Sequence, residues 1–112
     1  MPQIMENPDP NVSVVVPVYN EVESVADLCR RLHEVLPTIG RKYEIILVDD
    51  GSRDGTWEKL CGLSETIPHM RMIRFRRNFG QTAAMSAGFH AARGEIIVTL
   101  DADLQNDPAD IP

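Results

Sequence analysis

Val12-Ser13-Val14-Val15-Val16 is a β-branched run with one small polar break, and its continuity constrains the fold more than any other feature. A strand with one wet face alternates apolar and polar residues, whereas a strand covered on both faces reads as a nearly unbroken apolar run. Tyr43-Glu44-Ile45-Ile46-Leu47-Val48 and Ile96-Ile97-Val98-Thr99-Leu100 have the same character, and Met70 to Phe75 supplies a further candidate strand. Such strands need helices on both sides.

Helical spacing fills the gaps between them. Val22, Val25, Leu28, Cys29, Leu32, Val35 and Leu36 recur three and four residues apart, with Asn20 as the expected N-cap and Glu23 completing a capping box. Pro37 and Gly40 end this helix. A shorter one is expected after Asp54, carrying Trp57, Leu60, Cys61 and Leu63 and stopping near Pro68. Gln81 to Arg93 reads as a small-residue helix (Ala83, Ala84, Ala87, Gly88, Ala91, Ala92) able to lie close on a sheet, with Gly94 expected as a left-handed C-cap. Alternating strands and helices predict an α/β fold: a Rossmann-like, parallel four-strand sheet with right-handed crossovers and helices on both faces. In such sheets ligands bind beyond the carboxyl ends of the strands. Three of those ends carry polar groups, at Tyr19-Asn20-Glu21, Asp49-Asp50-Gly51-Ser52 and Asp101-Ala102-Asp103.

The 112 residues, 43% hydrophobic and 25% charged, suffice for one modest domain. Residues 12–112 are assigned to it. Residues 1–11, with Pro2, Pro8 and Pro10, read as a flexible leader lacking the basic start and apolar centre of a signal peptide. No run of about 18 apolar residues is present to span a membrane. A net charge of −6 argues against nucleic acid as a partner. Cys29 and Cys61 fall in helical apolar patterns and are expected to be small buried hydrophobes. The chain stops at Asp110-Ile111-Pro112, in what reads as the approach to another helix, so a truncated domain is expected.

Asp101, Asp103 and Gln105 follow an apolar strand directly and offer hard oxygen ligands of the kind that suit Mg²⁺ or Mn²⁺ bridged to phosphate. Acidic residues after a strand also form simple side-chain turns, which leaves both readings open. Asp49 and Asp50 are adjacent carboxylates that repel unless something compensates them, and they point to ligand binding. Asp54-Gly55-Thr56 reads instead as a turn and helix cap. Arg71, Arg74, Arg76 and Arg77 are a basic cluster in an acidic chain, leading into Asn78-Phe79-Gly80-Gln81 at a helix start. Arg76 or Arg77 could meet phosphate there, or the cluster could be a solvated face. His33, His69 and His90 lack metal-ligand spacing and are expected at the surface or in packing.

Together Pro17-Val18-Tyr19-Asn20-Glu21, Val48-Asp49-Asp50-Gly51-Ser52 with Asp54-Gly55-Thr56, Arg77-Asn78-Phe79-Gly80-Gln81 and Asp101-Ala102-Asp103-Leu104-Gln105 resemble family 2 glycosyltransferases of the GT-A fold. Within that family they most resemble the polyprenyl-phosphate (dolichol- or undecaprenyl-phosphate) sugar transferases. The resemblance implies the N-terminal, nucleotide-binding half of such an enzyme. It implies that Pro17, Tyr19 and Glu21 line the nucleotide pocket, that Asp50 with Asp49 holds the base or ribose, and that Asn78 and Gln81 complete the substrate site. Asp101, Asp103 and Gln105 would ligate Mg²⁺ or Mn²⁺ on the diphosphate of a UDP- or GDP-linked sugar. A lipid phosphate would attack the anomeric carbon with inversion, at the cytoplasmic side of a membrane, and the catalytic base would lie beyond residue 112. A fragment of this extent is expected to bind donor without completing transfer.

Three alternatives compete. A haloacid-dehalogenase-type phosphatase also places Asp-x-Asp after a strand, but its motif sits on the first strand with Thr or Val where Gln105 stands. A response-regulator receiver pairs acids after its first strand rather than its second. A non-catalytic nucleotide-binding domain would keep the fold without the chemistry.

Overall fold

In the computed structural model the structure describes residues 10–100. Four strands and three α-helices alternate: β1 (Val12–Val18), α1 (Val25–Val35), β2 (Tyr43–Asp49), α2 (Thr56–Ser64), β3 (Met70–Arg74), α3 (Gln81–Ala91) and β4 (Ile96–Thr99). All strand pairs are parallel and the order is β3-β2-β1-β4. The chain steps outward from β1 to β3, then crosses back to place β4 on the other side of β1. That reversal is the switch point where open α/β sheets bind ligands.

The continuous apolar runs are explained by two-sided cover. Every residue of β1 is buried, and β2 is buried from Glu44 to Asp49. On one face Val12, Val14, Val16, Val18, Ile45 and Leu47 meet Val25, Leu28, Cys29 and Leu32 of α1 and Leu60 of α2. Leu28 and Leu32 are fully buried, each contributing about 2 kcal/mol relative to an exposed side chain. On the other face Ile46 and Val48 pack on Ala84, with Ala87 and Ala91 alongside. A Cβ on Gly88 would come within 2.3 Å of Val15 Cγ1, so the small residues do let α3 lie directly on β1.

The amino end of the sheet is stitched by one carboxylate. Glu44 accepts the Ser13 hydroxyl (2.6 Å), the Arg93 N–H (2.7 Å) and the Arg71 guanidinium (2.6 Å), while Arg71 also donates to the Ala91 carbonyl at 2.8 Å. This fastens the exit of α3 to three strands. Burial pushes the Glu44 carboxyl up, but the Ser13, Arg93 and Arg71 hydrogen bonds and the Arg71 charge outweigh it and hold it below its ordinary value.

Local expectations fail in two places. Asn20 is not a helix cap: its φ is +52°, its side-chain oxygen accepts the Arg53 N–H at 2.9 Å, and α1 begins only at Val25 with Ser24 at the cap position. The Glu21 carbonyl accepts from Ser24 and Val25, forming a preceding turn, and Glu23 is exposed in that turn rather than closing a capping box. Gly94 is not among the glycines of positive φ, and α3 stops at Ala91 with Ala92 extended. Glycine is required there because a Cβ would stand 2.8 Å from the Ser13 nitrogen and Oγ, and the Gly94 N–H donates to that Oγ.

Candidate functional site

Three loops leave the carboxyl ends of neighbouring strands and are tied together by hydrogen bonds. Asn20 N–H donates to Ser52 Oγ (2.8 Å), Glu21 N–H to Thr56 Oγ1 (2.9 Å) and Val22 N–H to Asp54 Oδ2 (3.2 Å). Asp54 also accepts the Thr56 N–H at 3.0 Å, and hydrogen bonds from Thr56 and Val22 outweigh the desolvation that raises its carboxyl, leaving it below the ordinary range. Asp54, Gly55 and Thr56 thus build the turn and cap expected of them.

Asp50 joins the second loop to the third. Its Oδ1 accepts the Phe79 N–H at 2.7 Å, and its Oδ2 accepts the Gly80 N–H and Asn78 Nδ2 at 3.0 Å each. The positive end of α3 is therefore already neutralised by a protein carboxylate. Beside it, a Cβ on Gly51, whose φ is +79°, would overlap the Arg77 carbonyl carbon at 2.3 Å and the Asn78 nitrogen at 2.5 Å. Only glycine permits this backbone-to-backbone approach.

Asp49 differs sharply from its neighbour. It is fully buried, its Oδ1 accepts the Ser52 N–H at 2.9 Å, and its Oδ2 is buried with no hydrogen-bond partner among the described residues. The repulsion expected of adjacent carboxylates is relieved by giving each a separate set of donors, and one oxygen remains unmatched.

The other expected residues are distributed around this edge. Pro17 is buried within β1 opposite Val48. Tyr19 is 45% exposed just past the strand end. Glu21 is half-buried and accepts the Ser24 hydroxyl at 2.9 Å. Asn78 is engaged by Asp50, and Gln81 is exposed in the first turn of α3. Leu100, whose N–H donates to the Val15 carbonyl, carries the chain past β4 beside β1. Asp101, Asp103 and Gln105 lie outside the described residues. Among the described residues no group of three His, Cys, Asp or Glu comes together to hold a metal.

The basic cluster divides. Arg71 belongs to the Glu44 stitch at the opposite end of the sheet, Arg74 lies over the Trp57 ring at 5.2 Å, and Arg77 lies over Phe79 at 4.3 Å. His33 and His90 are exposed, and exposed His69 packs edge-on against Tyr43. Ser52 and Thr56 join the first two loops, a role beyond the turn expected around Thr56. The only sequence signal for them is a hydroxyl two or three residues after each acidic residue that it serves.

Residues 13–112 match the family described as glycosyl transferase family 2. The undecaprenyl-phosphate 4-deoxy-4-formamido-L-arabinose transferase of Klebsiella pneumoniae is 47% identical over 106 residues, covering 94% of this chain and 32% of the relative. The chain thus spans about a third of the length of that curated relative. Among solved structures, the mannosyltransferase PcManGT from Pyrobaculum calidifontis, in complex with GDP-Man and Mn²⁺, superposes with a TM-score of 0.76 at 31% identity, over 85% of this chain and 28% of that one. S. aureus TarS in complex with UDP superposes with a TM-score of 0.72 at 24% identity, over 83% of this chain and 27% of that one, a likeness of fold alone.

Proposed function

We propose that this chain, which belongs to glycosyl transferase family 2, forms the donor-nucleotide half of an enzyme that moves a sugar from a nucleoside diphosphate to a polyprenyl phosphate. The observation carrying this reading is the Asp49 Oδ2 atom, buried and unmatched at the carboxyl edge of β2. A buried carboxylate oxygen without a donor is costly, and a bound ligand with an N–H or O–H removes that cost. A nucleoside supplies such groups: the imide N–H of uracil, the N1–H of guanine, or a ribose hydroxyl. Tyr19, exposed just past the end of the neighbouring strand β1, offers a ring for the base to lie against.

Asp50 and Asn78 serve the same site by fixing the loop at the start of α3, Gln81 faces the substrate from the exposed first turn of α3, and Pro17 and Glu21 shape the loop after β1. Because the Asp50 carboxylate already stands at the start of α3, the diphosphate needs another positive partner. Asp101, Asp103 and Gln105 fit that need, since two carboxylates and an amide oxygen suit Mg²⁺ or Mn²⁺ and follow the strand beside β1 at the switch point. When bound, the cation screens the diphosphate and acts as a Lewis acid for its departure. A lipid phosphate oxygen then forms the bond to the anomeric carbon as the bond to the nucleoside diphosphate breaks, with inversion. No residue in 10–100 is assigned as a base. The name of the Klebsiella relative supports the polyprenyl phosphate acceptor, and with a lipid acceptor we propose a reaction at the cytoplasmic side of a membrane. Among the described residues no helix is long and apolar enough to cross a membrane.

Calorimetric titration with UDP and GDP tests the donor site. Binding is expected with Mn²⁺ or Mg²⁺, loss of the metal dependence in Asp103→Ala, and weakening by about tenfold in Asp49→Asn, the loss of one charge-assisted contact. Equal affinity in chelator would remove the metal from the proposal.

A further inference from the structure

A cleft beside β3 at the same edge gathers basic residues. It has a volume of about 380 Å³ and is lined by Gly51, Ser52, Arg53, Arg74, Phe75 and Arg76. Half of that lining is arginine and none of it is acidic, in a chain whose net charge is −6. Among the described residues none of these three guanidinium groups takes part in an ion pair. Asp54, next in sequence to Arg53, spends its carboxylate on Thr56 and Val22. Three arginines around one concavity carry like charges that repel, and an anion in it turns that repulsion into attraction.

The walls are held in place before any ligand arrives. The Arg53 backbone is tied to Asn20, the Arg74 guanidinium is laid over Trp57, and the Phe75 N–H donates to the Asp49 carbonyl at 2.8 Å. Ser52 Oγ accepts from Asn20 N–H, which leaves its hydroxyl hydrogen for an outward acceptor. Arg77 is drawn away over Phe79 and does not line the cleft.

We propose that Arg53, Arg74 and Arg76 form a metal-independent site for a phosphate group, with Ser52 as an additional donor. Guanidinium forks match phosphate oxygens in pairs, and a phosphate offers more oxygens and more charge to several forks than a carboxylate does. Asp49 does not line the cleft, and the site does not depend on the donor proposal, because it operates in chelator.

The test is an NMR titration of the chain with inorganic phosphate in EDTA at low ionic strength, following arginine Nε–H signals. Saturable shifts are expected at Arg53, Arg74 and Arg76, with Arg30 on the exposed face of α1 unmoved. The double variant Arg53→Gln/Arg76→Gln, both at exposed positions, is expected to weaken binding at least about tenfold, while Arg30→Gln leaves it unchanged. Shifts of equal size at Arg30, or unchanged affinity in the double variant, would overturn the site. Vesicles containing phosphatidic acid separate the possible sources. Capture that is lost in the double variant assigns the phosphate to a lipid headgroup, and phosphate binding without capture assigns it to a soluble ligand.

Discussion

The Asp50 carboxylate receives the Gly80 backbone N–H at 3.0 Å across 30 residues of chain, so the end of β2 sets where α3 begins. Helix caps normally come from the residue just before the helix. Here a carboxylate just past a different strand holds the two residues that lead into the helix, which makes the helix start a tertiary feature.

Asp50→Ala should therefore cost more than the loss of a single hydrogen bond. It strands the Phe79 and Gly80 N–H groups and the Asn78 amide, and a loss of about 3 kcal/mol is expected in a urea melt. Asp50→Asn should fall between, since the amide keeps one acceptor oxygen. A change within about 0.5 kcal/mol, typical of a surface substitution, would show that the clamp carries no stability.

Two glycines in helices should respond oppositely to alanine. Gly88→Ala places a methyl against Val15 Cγ1 and is expected to destabilise by about 1–3 kcal/mol. Gly62→Ala meets nothing within 4 Å on α2 and should stabilise by about 0.5 kcal/mol through helix propensity. Thermal melts of both variants check the contrast.

Acid should loosen the amino end of the sheet first. Glu44 has a folded pKa below its ordinary value, so the unfolded chain binds the proton more tightly. Its contribution is complete above the unfolded pKa of about 4.3 and is lost as pH falls through the lower folded value. Glu44→Gln should flatten this part of the stability–pH curve, as followed by circular dichroism between neutral and acid pH.

The cysteines should label unequally. Burial raises the Cys29 thiol to about 12, which leaves almost no thiolate at neutral pH, whereas Cys61 is only half-buried. A thiol reagent should modify Cys61 in the native protein and both cysteines in denaturant. Native modification of Cys29 at a matching rate would contradict its packing between α1 and the sheet.

The sheet and its carboxyl edge were legible because they rest on repeated signals: continuous apolar runs covered by two helix layers, and polar groups at successive strand ends. The details at Asn20 and Asp50 were not, because their partners are 33 and 30 or fewer residues away along the chain. Asn20 has the chemistry of a cap, but Arg53 claims its oxygen. Arg71 and Arg74 look like one cluster in sequence, yet strand alternation sends them to opposite faces. Gly94 was expected for its conformational freedom and is needed for its lack of volume. The metal-ligand triplet Asp101, Asp103 and Gln105 remains a proposal from residue type and position.

The Gly51 approach to the Arg77–Asn78 peptide couples the lengths of two turns. A residue inserted in either one would push its backbone off the other and pull Asp50 from Gly80, so size changes here should survive only in matched pairs. Deep mutational scanning with single-residue insertions would reveal this as a narrow intolerant window at both turns, with rescue by compensating deletions in the facing turn.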